Sequence, residues 1–343
     1  MRAELLKQTL TARAKLHLSG TRVRPAYITG PPGVGKTQVV GQVARDLGIG
    51  SHELHAPLML NEDFGMPQFL ADGEVGFATP GHKFPFVDSD HFPDQGLINV
   101  NEVAQCSPDQ QKIWANLFQE HELHGRKLKP GWMFIANGNR TQDRAGAGRI
   151  LSHFNDRFTT YAFDPSLDDW CNWALTVGNV RPEVVGFLRF RPDLLCAFNP
   201  DAEKSPTPRA WAEGVSPTID AVPDAALYET LKGDVGEGAA AEFTGFLQTY
   251  RALPNPDLVI ASPETHAIPR ELHVLYALSG ALAHRATEEN FGAILTYACR
   301  KEMPPEFMIL IVRDATMRNR ALEETLAYTK WMVGAGADVL LNG

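Results

Sequence analysis

Residues 30–37 read Gly30-Pro31-Pro32-Gly33-Val34-Gly35-Lys36-Thr37 and match the spacing G-x-x-x-x-G-K-[ST] at every fixed position. No other stretch constrains the fold as strongly, because the spacing only works between a strand and a helix. Both flanks supply that context. Pro25-Ala26-Tyr27-Ile28-Thr29 has strand character, and Gln38 to Leu47 carries Val39, Val40 and Val43 at helical spacing. The glycines allow a tight backbone path, and successive N–H groups at a helix start present partial positive charge to phosphate oxygens. In this reading residues 30–37 bind the nucleotide, Lys36 reaches the β- and γ-phosphates, and the Thr37 hydroxyl is a ligand for Mg²⁺. ATP and Mg²⁺ are therefore the expected cofactors.

The 343 residues suffice for one large domain or two smaller ones, and 44% hydrophobic content supports packed cores. A net charge of −9 makes nonspecific binding to nucleic acid or to an anionic membrane an unfavourable expectation, since the mean field repels phosphate. No apolar run reaches the length of a membrane span, so the expectation is a soluble, cytoplasmic protein without a membrane partner. Cys106, Cys171, Cys196 and Cys299 are widely spaced and read as buried reduced thiols.

Along the chain, Leu6, Leu10 and Ala14 form one stripe of an amphipathic helix, and residues 51–57 offer a second strand. Residues 58–96 are broken by Gly and Pro and read as an irregular insertion, in which Asp63-Phe64-Gly65-Met66-Pro67 is either a surface or pore-facing loop or ordinary loop packing. Leu97-Ile98-Asn99-Val100-Asn101-Glu102 is a strand ending in a polar pair. A phosphate-loop ATPase has Asp-Glu at this place, the Asp for Mg²⁺ and the Glu for the attacking water. Here Asn101 replaces the Asp; its amide can still bond a water on the metal but lacks the full charge. Ser107-Pro108-Asp109-Gln110 has the spacing of a helix capping box. His121-Glu122-Leu123-His124 is one residue short of a zinc-protease motif and reads as a helix end, and residues 125–129 read as a basic hairpin turn. Trp132 to Ala136 is a buried strand, after which Asn137 or Asn139 either positions water at the strand end or caps a turn.

In this order, residues 30–37, 96–102, 134–144 and Asn155-Asp156-Arg157-Phe158 resemble the MoxR-like branch of the AAA+ ATPases, close to the dynein-related modules. The similarity continues through Asp168-Asp169-Trp170, residues 187–192 and residues 206–211, and so covers most of the chain. The resemblance implies a fold class: an α/β AAA+ P-loop NTPase domain with a parallel central sheet over residues 1–163, then an α-helical lid and C-terminal helical region over 164–343. It implies a homo-oligomeric ring, usually a hexamer, with ATP between subunits. Asn139 then resembles the sensor 1 residue, Arg157 the arginine finger that reaches a neighbour's γ-phosphate, and Arg209 the lid's sensor 2 arginine. Read from residue chemistry alone, Arg157 could instead pair with Asp156, and Arg209 could be a surface arginine at a helix start. Arg140, Arg144 and Arg149 are further interface candidates.

From residue 164 onward the pattern is helical: Ser166 caps a helix with Leu167, Trp170, Ala174 and Val177, while residues 213–238, rich in Gly, Pro and Ala, read as a loop. Residues 239–250, 271–286, 290–300 and 321–333 supply further amphipathic helices. Three functions are compatible with the sequence. The leading one is an ATP-hydrolysing ring that remodels a protein client, for which the resemblance suggests a partner with a von Willebrand factor A domain. The second is a nucleotide-gated scaffold with hydrolysis slowed by Asn101. The third is a DNA-directed AAA+ motor, which the acidic charge disfavours.

Overall fold

The computed structural model describes residues 1–140, 143, 155–253 and 255–337. The chain divides into two compact units, Met1–Pro165 and Ser166–Gly343.

The first unit is built on a five-stranded parallel sheet. Its strands are β1 (Ala26–Thr29), β2 (Gly50–His55), β5 (Gln95–Asn101), β8 (Gly131–Gly138) and β9 (Thr159–Ala162), in the spatial order β2-β5-β8-β1-β9. The central strands read as continuous apolar runs because both faces are covered: in β8 residues 132–138 are all buried, and in β5 residues 96–101 are. Placing β1 between β8 and β9, away from β2, makes the strand order reverse beside β1. That reversal opens a crevice at the carboxyl ends of the strands, where open α/β sheets hold ligands.

Helices fix the sheet's surroundings. In α1 (Ala3–Leu18) the stripe Leu6, Leu10 and Ala14 is fully buried. In α2 (Lys36–Leu47) Val39, Val40, Val43 and Ala44 are buried, and Gly48 ends the helix in the left-handed region at φ 66°. A single turn, α3 (Asn61–Phe64), lies in the insertion, and α4 (Pro108–Glu120) follows β5. The cap of α4 forms as its sequence dictates: Gln110 N donates to Ser107 Oγ at 3.3 Å, and Ser107 N donates to Gln110 Oε1 at 3.3 Å. Behind the sheet, Trp114, Phe118, Phe134 and Phe158 interlock, with Phe118 edge-on to Phe134 at 4.8 Å between ring centroids.

The insertion is more ordered than its Gly and Pro content suggests. Residues 66–69 and 75–78 pair as an antiparallel hairpin, β3 (Met66–Phe69) with β4 (Val75–Ala78), turned by Gly73 at φ 87°. Its side chains stay largely in solvent, and Phe69 is 86% exposed. A second small hairpin, β6 (Glu122–Leu123) with β7 (Arg126–Lys127), carries the basic turn, and His121 ends α4 at φ 53°.

The second unit is helical. The cap from Ser166 to Asp169 N forms, and the helix Leu167–Thr176 buries Trp170, Cys171 and Ala174. The stretch 213–238 is not a loop: Ala210–Val215 and Asp224–Val235 are helical, and Leu227, Leu231 and Val235 form a buried i, i+4, i+8 stripe. Burial of that stripe outweighs the helix-weakening glycines nearby. A helix absent from the sequence reading, Pro305–Arg318, packs on Leu272–Arg285 and carries Asp314 into the interior. There Asp314 forms a two-pronged ion pair with Arg189, both side chains almost wholly buried. Residues 321–333 divide at Thr325, which caps the final helix Leu326–Val333. Of the cysteines, Cys106 and Cys171 are buried, whereas Cys196 is partly buried and Cys299 is exposed, its sulfur 3.7 Å from Met308 Sδ. No helix among the described residues is long and apolar enough to cross a membrane.

The fold class read from the sequence, an α/β P-loop domain with a parallel central sheet followed in the chain by a helical region, is the one observed.

Candidate functional site: a phosphate loop backed by an amide network

The loop between β1 and α2 lies at the carboxyl end of β1, on the crevice side of the sheet. Two glycines are dictated by geometry. A Cβ on Gly30 would lie 2.5 Å from the Phe163 carbonyl oxygen, and Gly35 sits at φ 93°, a conformation that side chains oppose. Gly35 is also the residue from which α2 starts, so the helix's unpaired N–H groups face the loop.

Lys36 is 7% exposed, and its ammonium is bedded by oxygen atoms: the Gly30 carbonyl at 3.0 Å, the Pro31 carbonyl at 3.0 Å and Asn139 Oδ1 at 2.9 Å. Asn139 lies just past the end of β8. Its amide nitrogen points the other way, donating to both carboxylate oxygens of Glu102 at 3.3 and 3.2 Å. One amide thus links the ammonium of the loop to the carboxylate at the end of β5. Glu102 itself occupies the left-handed region at φ 58°, rare for a residue with a side chain. Tyr27, buried beneath Gly138, has its phenol pushed above its ordinary range by burial and by the Glu102 charge.

Beside this link runs a second chain of contacts. Thr37 Oγ1 donates to Asn101 Oδ1 at 3.0 Å. The same oxygen accepts from Asn137 Nδ2 at 2.5 Å, and Asn137 Nδ2 also reaches Asn99 Oδ1 at 2.9 Å. Asn101 Nδ2 donates to Glu53 Oε1 on β2 at 2.5 Å. Asn99, Asn101 and Asn137 are at most 3% exposed, so each buried amide relies on these partners. The alternation of strand side chains puts Asn99 and Asn101 on one face of β5, and the parallel pairing sets Asn137 of β8 beside them.

This donor set fits a nucleotide with its metal. Thr37 Oγ1, Asn101 Oδ1 and the Glu53 carboxylate are oxygens only, the ligand type that Mg²⁺ takes. The glycine path, the helix start and Lys36 form the kind of cradle that accepts phosphate oxygens.

Among the other expected site residues, Arg157 is not brought to the loop of its own chain. It precedes β9, at the amino end of the parallel strands, and its Nε donates to Gln119 Oε1 at 2.7 Å. Arg140 is held by Asp143, with Nη2 3.0 Å from Oδ1. Arg144 and Arg149 lie outside the described residues. Arg209 belongs to the second unit, where it is 63% exposed and 4.0 Å from Glu213. Glu53 escaped the sequence reading: a lone glutamate in a short polar strand carries no signal until β2 is paired with β5.

Strand order and loop together define an α/β P-loop domain. No protein-family model matches the chain, and no curated protein matches it in sequence. Among solved structures, the chain is similar to a point mutant of Thermotoga maritima RuvB at 12% identity, covering 82% of each chain, with a TM-score of 0.37. A second point mutant of the same RuvB gives 11% identity, 81% of each chain and a TM-score of 0.40. A Cytophaga hutchinsonii protein described as a candidate ATPase gives 15% identity over 90% of this chain and 80% of its own, with a TM-score of 0.35. Overlaps of this size leave the functional argument to the site.

Proposed function

We propose that the chain is an AAA+ ATPase of the MoxR-like branch that works as a ring and couples ATP hydrolysis to remodelling of a protein client. The observation that carries the proposal is the Lys36–Asn139–Glu102 link, which ties the phosphate-binding ammonium, across the end of β8, to a carboxylate at the end of β5. Phosphoryl transfer needs positioning and charge stabilisation more than covalent chemistry from the protein. Residues 30–37 would hold the phosphates, and Glu102 would orient the attacking water and draw its proton. Asn139, bonded to both, would register whether the γ-phosphate is present. Mg²⁺, when bound with the nucleotide, neutralises charge across the phosphates, and Thr37 with Asn101 would hold its shell. Arg157, distant from its own loop, fits a residue that serves a neighbour, and Arg209 would couple the helical unit to the nucleotide. The client suggested by the resemblance is a protein with a von Willebrand factor A domain.

The decisive experiment compares ATP hydrolysis and particle mass, with and without ATP, for wild type, Lys36→Ala and Glu102→Gln. Expected are nucleotide-dependent assembly, loss of binding in Lys36→Ala, and retained binding with hydrolysis abolished in Glu102→Gln. A wild-type chain that stays monomeric with ATP would sink the shared-site reading.

A further inference from the structure

At the metal side of the loop, the amide and the carboxylate stand on exchanged strands. β5 ends in Asn101, where a carboxylate would serve Mg²⁺ best, and a carboxylate stands instead on the adjacent strand β2, with Glu53 Oε1 2.5 Å from Asn101 Nδ2. We infer that Glu53 is a positioning residue that supplies the missing negative charge to the metal shell and fixes the orientation of Asn101. The inference rests on the nucleotide reading above.

Orientation follows from donor and acceptor chemistry. A carboxylate only accepts, so the Asn101 amide must turn its NH₂ group to Glu53. Its Oδ1 then necessarily faces Thr37 and Asn137, which donate to it. Asn137 must in turn present its NH₂ group to both Asn101 and Asn99. Glu53 thereby sets the polarity of the whole buried chain and keeps an acceptor oxygen on the Thr37 hydroxyl hydrogen, which leaves the lone pairs of Thr37 Oγ1 for the metal. Its charge lies one amide away from that acceptor oxygen and polarises it. Glu53 is also 3.3 Å from His55 Nε2, on the same face of β2. The arrangement further explains why Asn101 is tolerated: an aspartate there would set two carboxylates within hydrogen-bond distance of each other.

A double-mutant cycle on the full chain tests this, using Glu53→Gln, Asn101→Asp and the pair together. Affinity for a non-hydrolysable ATP analogue is measured by calorimetry with Mg²⁺ and with a chelator, and melting temperature is measured without nucleotide. Glu53→Gln should reduce the Mg²⁺-dependent gain in affinity on the order of tenfold to a hundredfold, the usual range for losing an outer-shell partner of a metal. Asn101→Asp alone should lower the melting temperature. The double variant, with the carboxylate returned to β5, should recover both the melting temperature and the Mg²⁺ response. An unchanged Mg²⁺ response in Glu53→Gln, or effects of the two substitutions that simply add, would overturn the inference and leave the nucleotide reading standing. A wild-type chain that binds no analogue at all would overturn both.

Discussion

Lys36 Nζ and Asn139 Oδ1 stand 2.9 Å apart although 103 residues separate them in the chain. The bond pins the end of β8 to the phosphate loop, and the same amide holds Glu102. Replacing Asn139 by Ala should leave nucleotide affinity nearly intact, since the loop itself is unaltered. Turnover should fall on the order of a hundredfold, the cost of a catalytic group misplaced by about an ångström. Parallel measurement of nucleotide Kd and phosphate-release kcat checks this; equal losses in both would mean that Asn139 only supports the loop.

Arg157 sits at the amino end of β9, away from the loop at the carboxyl end of β1. If it serves a neighbour, Arg157→Ala should lower turnover by at least about a thousandfold, as loss of an arginine finger does. Mixing it with Glu102→Gln chains should restore activity, because a wild-type Arg157 then meets a wild-type Glu102 across some interfaces. A mixture no more active than its components would exclude a role in a neighbour's site.

The Arg189–Asp314 pair predicts a stability effect in the second unit. Both side chains are under a tenth exposed, so removing one partner strands a buried charge. Asp314→Asn should cost about 3–5 kcal/mol in denaturant unfolding of that unit. The double substitution Arg189→Met with Asp314→Leu should recover most of it, since well-packed apolar residues can replace a buried pair at little cost. A single substitution within about 0.5 kcal/mol of wild type, the range of an ordinary surface change, would show that the pair is dispensable.

Burial, with the nearby charges of His17 and Arg22, pushes the His121 imidazole down to about 4. A histidine whose folded value lies below its unfolded value of 6.5 resists protonation only in the folded state. The unfolded chain therefore binds the extra proton first, and stability falls as pH drops from about 6.5 towards about 4. By pH 5 the loss from His121 should be about 2 kcal/mol. Melting curves across that window check the sign. His121→Asn, which tolerates the left-handed backbone there, should flatten the slope.

What can be read from the chain alone is whatever is encoded between near neighbours. The stripe Leu6, Leu10 and Ala14, the cap at Ser107 and Gln110, and the helix start at Ser166 depend on spacings of three or four residues, and all form. Residues 213–238 depart from the loop expectation because composition says little about a helix whose stability comes from burying Leu227, Leu231 and Val235. The ordered hairpin of residues 66–78 is illegible in sequence for a related reason: short strands among glycines gain their regularity from pairing with each other.

The phosphate loop is determined by sequence itself, since its glycines, lysine and threonine work within one strand-to-helix turn. Tertiary structure alone decides what surrounds it. Parallel pairing of β2, β5 and β8 brings together Glu53, Asn101 and Asn137, 48 and 36 residues apart, and turns three polar positions into one amide chain ending on a carboxylate. Spacing within a strand tells which face a side chain takes, but only strand order and register say which charge it meets there. For that reason Asn101 is an anomaly in the sequence and, beside Glu53, half of a matched pair in the fold.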